Sequence, residues 1–138
     1  MYGKTRAEQV QIWGEETIAK WETSDNINPP LFEAGDPVNP AEDPRYSGIP
    51  NIPQAESFED TFNRIKAYWQ NELIPFLRSG KTVMVVGHSN ALRCLSKSID
   101  DSLDMATLKQ MLIPNTTPII YTLDANMNVI DRRVLTAN

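Results

Sequence analysis

The chain has 138 residues, with 13 lysine and arginine residues against 18 aspartate and glutamate residues, and a net charge of −5. This length suits one domain with a sizeable core, and the acidic balance argues against a nucleic-acid partner or an anionic membrane surface. No apolar run is long enough to span a membrane. The single cysteine, Cys94, cannot form an intramolecular disulfide, so a reducing, cytoplasmic location is expected.

Residues 4–23 are predicted to be helical in two pieces. Val10, Ile18 and Trp21 fall near one face at helical spacing, which is typical of an amphipathic helix. Gly14 is the expected break between the two pieces, because glycine weakens a helix interior.

Residues 24–56 are predicted to form a long connection without a helix or a central strand. Seven of the ten prolines lie here, and each proline removes a backbone donor and fixes φ. Connections of this length are either lids over a binding site or ordered segments that run over the surface. The sequence leaves both interpretations open.

Residues 57–138 form the regular α/β part of what is expected to be a single partial domain, residues 1–138. Ser57 and Asp60 make a capping-box pattern before an amphipathic helix that Pro75 is expected to kink or end. The valine-rich run Thr82–Val86 predicts a parallel strand buried on both faces. The elements predicted after it are helices at Asn90–Ile99 and Asp104–Met111 and a hairpin of strands at Pro118–Leu123 and Asn128–Val134.

The polar residues after the predicted strand are the candidate site. They read Gly87-His88-Ser89-Asn90 and contain the only histidine of the chain. Ligands of open α/β sheets gather at the carboxyl ends of strands, and the N–H groups that open a helix attract anions such as phosphate. His88 can donate a hydrogen bond to a phosphoryl oxygen, and Ser89 and Asn90 add side-chain donors. The alternative is a buried histidine whose ring nitrogens both bond to backbone.

Other chemistries have less support in the sequence. Gly87–Ala91 nearly matches the nucleophile elbow of serine hydrolases, but a triad with Ser89 needs a downstream histidine that the chain lacks. One histidine and one cysteine, without a carboxylate cluster at ligand spacing, predict no metal site. A Walker-type phosphate loop and a dinucleotide glycine fingerprint are both absent from the sequence.

Residues 85–93, Val-Val-Gly-His-Ser-Asn-Ala-Leu-Arg, resemble the His-Gly-Asn-Ser-Leu-Arg segment of cofactor-dependent phosphoglycerate mutases, which belong to the histidine phosphatase superfamily. The resemblance extends over essentially the whole chain. Further matching segments are Tyr68-Trp69-Gln70-Asn71-Glu72, Leu112-Ile113-Pro114-Asn115-Thr116, Pro118-Ile119-Ile120-Tyr121, and Trp21 with Asn28-Pro29-Pro30. This resemblance implies the carboxyl-terminal half of a three-layer fold, with a mostly parallel sheet, helices on both faces and the first strands missing.

The resemblance also implies a mechanism. These mutases interconvert 2- and 3-phosphoglycerate in glycolysis through a phosphohistidine, primed by 2,3-bisphosphoglycerate and without a metal. His88 matches the histidine that holds the transferred phosphoryl group rather than the one that receives it. Asn90 matches a phosphate-contacting asparagine, Ser89 stands where the family has glycine, and Arg6 matches a substrate-binding lysine. Arg45 and Arg93 also match family positions, with a salt bridge as the alternative role for each.

The departures from the family pattern concern catalysis. The Arg-His-Gly segment with the nucleophile and the Glu-Arg-His-Tyr-Gly segment with the general acid have no counterpart here. Glu22 and Thr23 replace a pair of arginines, which changes the charge of a pocket for a phosphorylated small molecule. The chain alone is therefore expected to be inactive, with Thr82–Val86 as an unpaired apolar edge that a complementing amino-terminal half or a second copy would cover. The alternatives are a phosphate-binding pseudoenzyme or interaction module, and a non-functional truncated remnant.

Overall fold

The structure is a computed structural model that describes residues 3–33, 35–36 and 38–135. The chain divides into two compact units, Met1–Asp60 and Thr61–Asn138. The helices and strands in chain order are α1 (Arg6–Trp13), α2 (Glu15–Thr23), α3 (Phe58–Tyr68), a π-helical turn (Trp69–Leu73), α4 (Ile74–Arg78), α5 (Ser89–Ile99), α6 (Met105–Gln110), β1 (Ile119–Leu123) and β2 (Val129–Val134).

The two predicted amino-terminal helices are confirmed. Thr5 caps α1 in a reciprocal box with Glu8, in which the Thr5 N–H donates to Glu8 Oε2 at 2.7 Å. Gly14 separates α1 from α2 with φ of +79°, a conformation that only glycine adopts without strain. The indole rings of Trp13 and Trp21 then meet edge to face, with centroids 5.6 Å apart. These contacts hold the two helices together within the first unit.

Residues 24–56 contain two short 3₁₀ turns, Pro40–Glu42 and Pro44–Tyr46. Asn39 Oδ1 accepts the N–H of Ala41 at 3.0 Å, and Asp43 Oδ1 accepts the N–H of Arg45 at 2.9 Å. Each side chain therefore satisfies a backbone donor at the start of a turn. Such local hydrogen bonds favour the interpretation of this connection as an ordered surface segment.

The helix that begins at Phe58 runs past Pro75 instead of ending there. Ser57 and Asp60 form the predicted capping box, with the N–H of Asp60 donating to Ser57 Oγ at 3.1 Å. Pro75 has no N–H, and the turn before it widens so that the N–H of Ile74 donates to the carbonyl of Trp69. This π-helical turn absorbs the missing donor, so the helix continues through α4 to Arg78.

The core of the second unit joins the π-helical turn to α5. Trp69, Leu73 and Leu95 are buried together, and the partly buried residues packed against them are Ile65, Ile74, Leu77, Val83, Ile99 and Leu123. Leu95 and Ile99 lie on the face of α5 that the helical spacing predicts to point inward. This packing fixes α5, and therefore fixes where its amino-terminal end lies in this unit.

The sheet of the described residues has two antiparallel strands, β1 and β2. Asp124 shapes the turn between them, because its Oδ1 accepts the N–H groups of Asn126 and Asn128, each at 2.8 Å. The predicted hairpin and the mixed α/β class are thus confirmed. A mostly parallel sheet is not found in the part of the chain that the structure describes.

The predicted strand Thr82–Val86 is wrong, because residues 81–88 have no regular secondary structure. A strand exists only through hydrogen bonds to a neighbour, and no strand of the described residues pairs with this segment. Val83 packs against the core, whereas Met84 and Val86 are 85% and 87% exposed. The segment therefore has the composition of a buried strand without the partner that would bury it.

Candidate functional site

His88 is the residue that starts α5. Its backbone is extended, with φ of −66° and ψ of 148°, and its Nδ1 accepts the N–H of Asn90 at 3.4 Å. This distance is long for a nitrogen donor, so the cap is weak and the first N–H groups of α5 stay accessible to a stronger acceptor. The side chain is exposed, which excludes the buried structural histidine that the sequence left open.

Asn90 and Arg93 form a fixed pair on the first turn of α5. Arg93 Nη1 donates to Asn90 Oδ1 at 2.9 Å, and Arg93 Nε donates to the carbonyl of Met111 at 2.7 Å. Residues three apart on a helix share a face, so this contact follows from their spacing. Arg93 thus links α5 to the residue that ends α6, in place of the salt bridge considered from the sequence.

Arg6 is engaged by two carboxylates of α2. Its Nη1 lies 2.6 Å from Glu22 Oε1, and its Nη2 lies 3.3 Å from Glu15 Oε1. Partial desolvation lowers the pKa of Arg6, but the hydrogen bonds and charges of Glu22 and then Glu15 outweigh it and raise that pKa above its ordinary value. A third group, such as a phosphate, would have to compete with both carboxylates for this guanidinium.

The structure brings three of the four predicted site residues together. His88, Ser89 and Asn90 are consecutive at the start of α5, whereas Arg6 begins α1 in the other compact unit. The side chain of Thr23 lies outside the described residues. Arg45 forms an ion pair with Asp43, as its salt-bridge alternative predicted.

Two contacts of the candidate site residues are not predicted from the sequence. One is the ion pair of Glu15 with Arg6, which joins two helices that are adjacent in the chain. The other is the hydrogen bond of Arg93 to Asn90, for which a spacing of three on a predicted helix is the available signal.

Two further properties concern the described residues as a group. Among them, no three histidine, cysteine, aspartate or glutamate side chains lie close enough to hold a metal ion. None of the helices that the structure describes combines the length and apolar character needed to cross a membrane.

The comparison with known families assigns the class of protein. The chain belongs to the histidine phosphatase superfamily (branch 1), whose family profile matches residues 1–136. Because the match covers nearly the whole chain, it includes both α1 and the first turn of α5.

Three relatives share a more specific name, 2,3-bisphosphoglycerate-dependent phosphoglycerate mutase. The protein from Mannheimia succiniciproducens is 33% identical over 137 residues, which is 98% of this chain and 60% of the relative. The one from Novosphingobium aromaticivorans is 37% identical over 96% of this chain and 58% of the relative. The one from Clavibacter michiganensis subsp. michiganensis is 34% identical over 90% of this chain and 49% of the relative. The chain thus spans about half to three-fifths of these relatives.

Proposed function

We propose that this chain carries the phosphoryl-holding half of a phosphoglycerate-mutase-type site, formed by His88, Ser89 and Asn90. The observation that carries the proposal is that the only histidine of a histidine phosphatase superfamily member caps the helix that begins at Ser89. Its substrate would be a phosphorylated small molecule, with phosphoglycerate favoured by the names of the relatives.

The geometry of His88 suits hydrogen bonding to a phosphoryl oxygen. A ring nitrogen that accepts a hydrogen bond carries no proton, so in the neutral ring the proton is on Nε2. Once an anion displaces Nδ1 from the Asn90 N–H, the ring can turn and donate from Nε2–H, beside the N–H groups of Ser89 and Asn90 and the positive end of the α5 dipole. These groups hold a phosphoryl group and spread its charge during transfer.

Transfer through a phosphohistidine needs a second histidine to receive the phosphoryl group. The chain has one histidine, and the family segment Arg-His-Gly has no counterpart in it. We therefore propose that turnover requires the Arg-His-Gly segment, in the same polypeptide or in a second one. The strands that accompany this segment would also pair with Thr82–Val86, where two apolar side chains are almost fully exposed. We propose a cytoplasmic location for this assembly.

One phosphoryl group fits the start of α5, whereas 2,3-bisphosphoglycerate carries two. The start of α5 offers donors that an anion can reach, but Arg6 is occupied by Glu22 and Glu15. A second candidate function follows from this occupation. The chain would act as a pseudoenzyme that binds a phosphomonoester without transferring its phosphoryl group.

A phosphate titration tests the site. The ¹H–¹⁵N spectrum of the full chain is followed while 3-phosphoglycerate is added, in wild type, His88→Ala and His88→Asn. Asparagine is a good helix cap, so H88N keeps the start of α5 while it removes the imidazole. We expect shifts at Ser89 and Asn90 in wild type and about tenfold weaker binding in both variants, the loss of one charge-assisted hydrogen bond. Equal affinity in wild type and H88N would contradict a role for the imidazole.

Coexpression separates the two candidate functions. The chain is produced together with the amino-terminal part of a relative that it does not align with, and phosphoglycerate mutase activity is measured. Activity that appears with wild type and is lost with H88N supports the split site. A stable complex that binds 3-phosphoglycerate but has no activity supports the pseudoenzyme.

A further inference from the structure

We infer that Arg93 is a positioning residue, which turns the amide of Asn90 so that its NH₂ group faces a phosphate at the start of α5. This inference rests on the proposed function, because it assigns Arg93 to the same site. Arg93 has no role in phosphoryl binding in the proposal above.

The orientation of the Asn90 amide follows from the chemistry of its partner. A guanidinium group can only donate hydrogen bonds, so the atom that faces Arg93 Nη1 at 2.9 Å must be the amide oxygen. The NH₂ group is then turned away from Arg93. Asn90 itself is exposed, so its two side-chain N–H donors are accessible to a ligand.

The second hydrogen bond of Arg93 keeps the guanidinium in place. Nε donates to the carbonyl of Met111 at 2.7 Å, and Met111 ends α6. The two bonds use different edges of one rigid plane, so the partly buried guanidinium cannot rotate without losing one of them. A lysine has one flexible ammonium and cannot reproduce this arrangement.

Orientation and charge make different predictions. If Arg93 acted only by its positive charge, lysine would replace it. If it orients Asn90, lysine would fail almost as badly as an uncharged residue, because the amide would rotate and present its oxygen to the anion about as often as its NH₂ group.

The test compares Arg93→Lys, Arg93→Met and Asn90→Asp with wild type, with Arg45→Lys as a matched control in a separate ion pair. N90D keeps an acceptor for Arg93 while it removes the two donors and adds a negative charge. We measure the affinity for inorganic phosphate and, without ligand, the ¹⁵N relaxation of the Asn90 side-chain NH₂ group. Thermal unfolding identifies any variant that does not fold.

We expect about twofold weaker phosphate binding in both R93K and R93M, because an amide that presents its NH₂ group only about half of the time halves the competent population, together with no measurable binding in N90D and no change in R45K. The NH₂ group of Asn90 should be ordered in wild type and mobile in R93K. Wild-type affinity in R93K, or a mobile NH₂ group in wild type, would overturn the positioning role. An ordered NH₂ group in a wild-type chain that binds no phosphate would instead contradict the proposed function and the ligand-directed role of Arg93 together.

Discussion

Arg6 Nη1 lies 2.6 Å from Glu22 Oε1, and Glu22 stands where the resemblance places the first of two arginines. The Arg6 guanidinium, which would attract phosphate, is thereby paired with the Glu22 carboxylate, which would repel phosphate. The pair joins the first residue of α1 to a residue near the end of α2, so both partners are held by helices that pack on each other.

Substitution of Glu22 should strengthen anion binding. In Glu22→Gln the guanidinium of Arg6 loses its closest carboxylate, so we expect the affinity of the chain for 3-phosphoglycerate to rise a few-fold at low salt. The gain should shrink as ionic strength rises, because the groups are exposed. Isothermal titration at two salt concentrations measures both effects.

The matched control is Glu16→Gln, which removes the same charge from the same helix. Glu16 Oε1 pairs with Lys20 at 2.9 Å instead of with Arg6. If E16Q and E22Q raised the affinity equally, total charge and not the Arg6 pair would explain the effect.

The capping box of α3 should make stability depend on pH. Hydrogen bonds from the backbone and then the side chain of Ser57 lower the pKa of Asp60 below its ordinary value. The charged form is therefore favoured by folding, so the contribution is complete above the ordinary aspartate pKa and is lost as pH falls through the lowered one. Asp60→Asn should remove this pH-dependent part in urea unfolding series, whereas Glu59→Gln in the same turn should keep it.

Ser57→Ala tests the other half of the box. The N–H of Asp60 would lose its acceptor at 3.1 Å, and we expect a loss of about 1 kcal/mol in the free energy of unfolding at neutral pH. Unchanged stability in S57A would show that water replaces the serine hydroxyl without cost.

The exposed run at residues 82–86 should drive self-association. Met84→Lys with Val86→Lys places two charges on the segment, and like charges on an unpaired edge oppose strand pairing between chains. We expect sedimentation at rising concentration to show association in wild type and much less in the double variant. Leu112→Lys is the control, because Leu112 is 82% exposed but lies beside Pro114, which cannot donate to a strand partner. Equal relief by L112K would point to general apolar adhesion.

Truncation of Leu95 in the core should destabilise the unit that contains α5. Leu95 is buried against Trp69 and Leu73, so Leu95→Ala should cost about 2–5 kcal/mol in the free energy of unfolding. Ile130→Ala, at a 65% exposed position, should cost far less. Chemical denaturation of both variants measures the difference, and similar losses would contradict the packing described for α5.

The sequence predicted the elements whose signals are local. The break at Gly14, the capping box at Ser57 and the hairpin around Asp124 depend on residues within a few positions of one another. Thr82–Val86 differs from these elements. Its valines indicate burial, but a strand also needs a second strand, distant in the sequence, to pair with. The sequence predicts that Pro75 kinks or ends a helix; the helix does not end there, because the widened turn before Pro75 accommodates the missing donor.

The contacts of the candidate site residues were predictable only in part. His88, Ser89 and Asn90 follow one another, so their common location follows from the start of one helix. The engagement of Arg6 by Glu15 and Glu22 depends on how α1 and α2 pack, and the bond from Arg93 to Met111 spans 18 residues. Contacts of that kind are decided by tertiary structure, which spacing alone does not determine.

The weak cap at His88 gives α5 an exchangeable first hydrogen bond. An anion that accepts the Asn90 N–H must displace the imidazole nitrogen, 3.4 Å away, and the released ring can then rotate toward the incoming group. His88 Nδ1 and a bound anion would thus compete as acceptors for the N–H of Asn90. Anion binding would break the hydrogen bond to Nδ1 and allow a new one from Nε2 to the anion. Amide hydrogen exchange at Asn90 would therefore report anion binding even where the fold does not change.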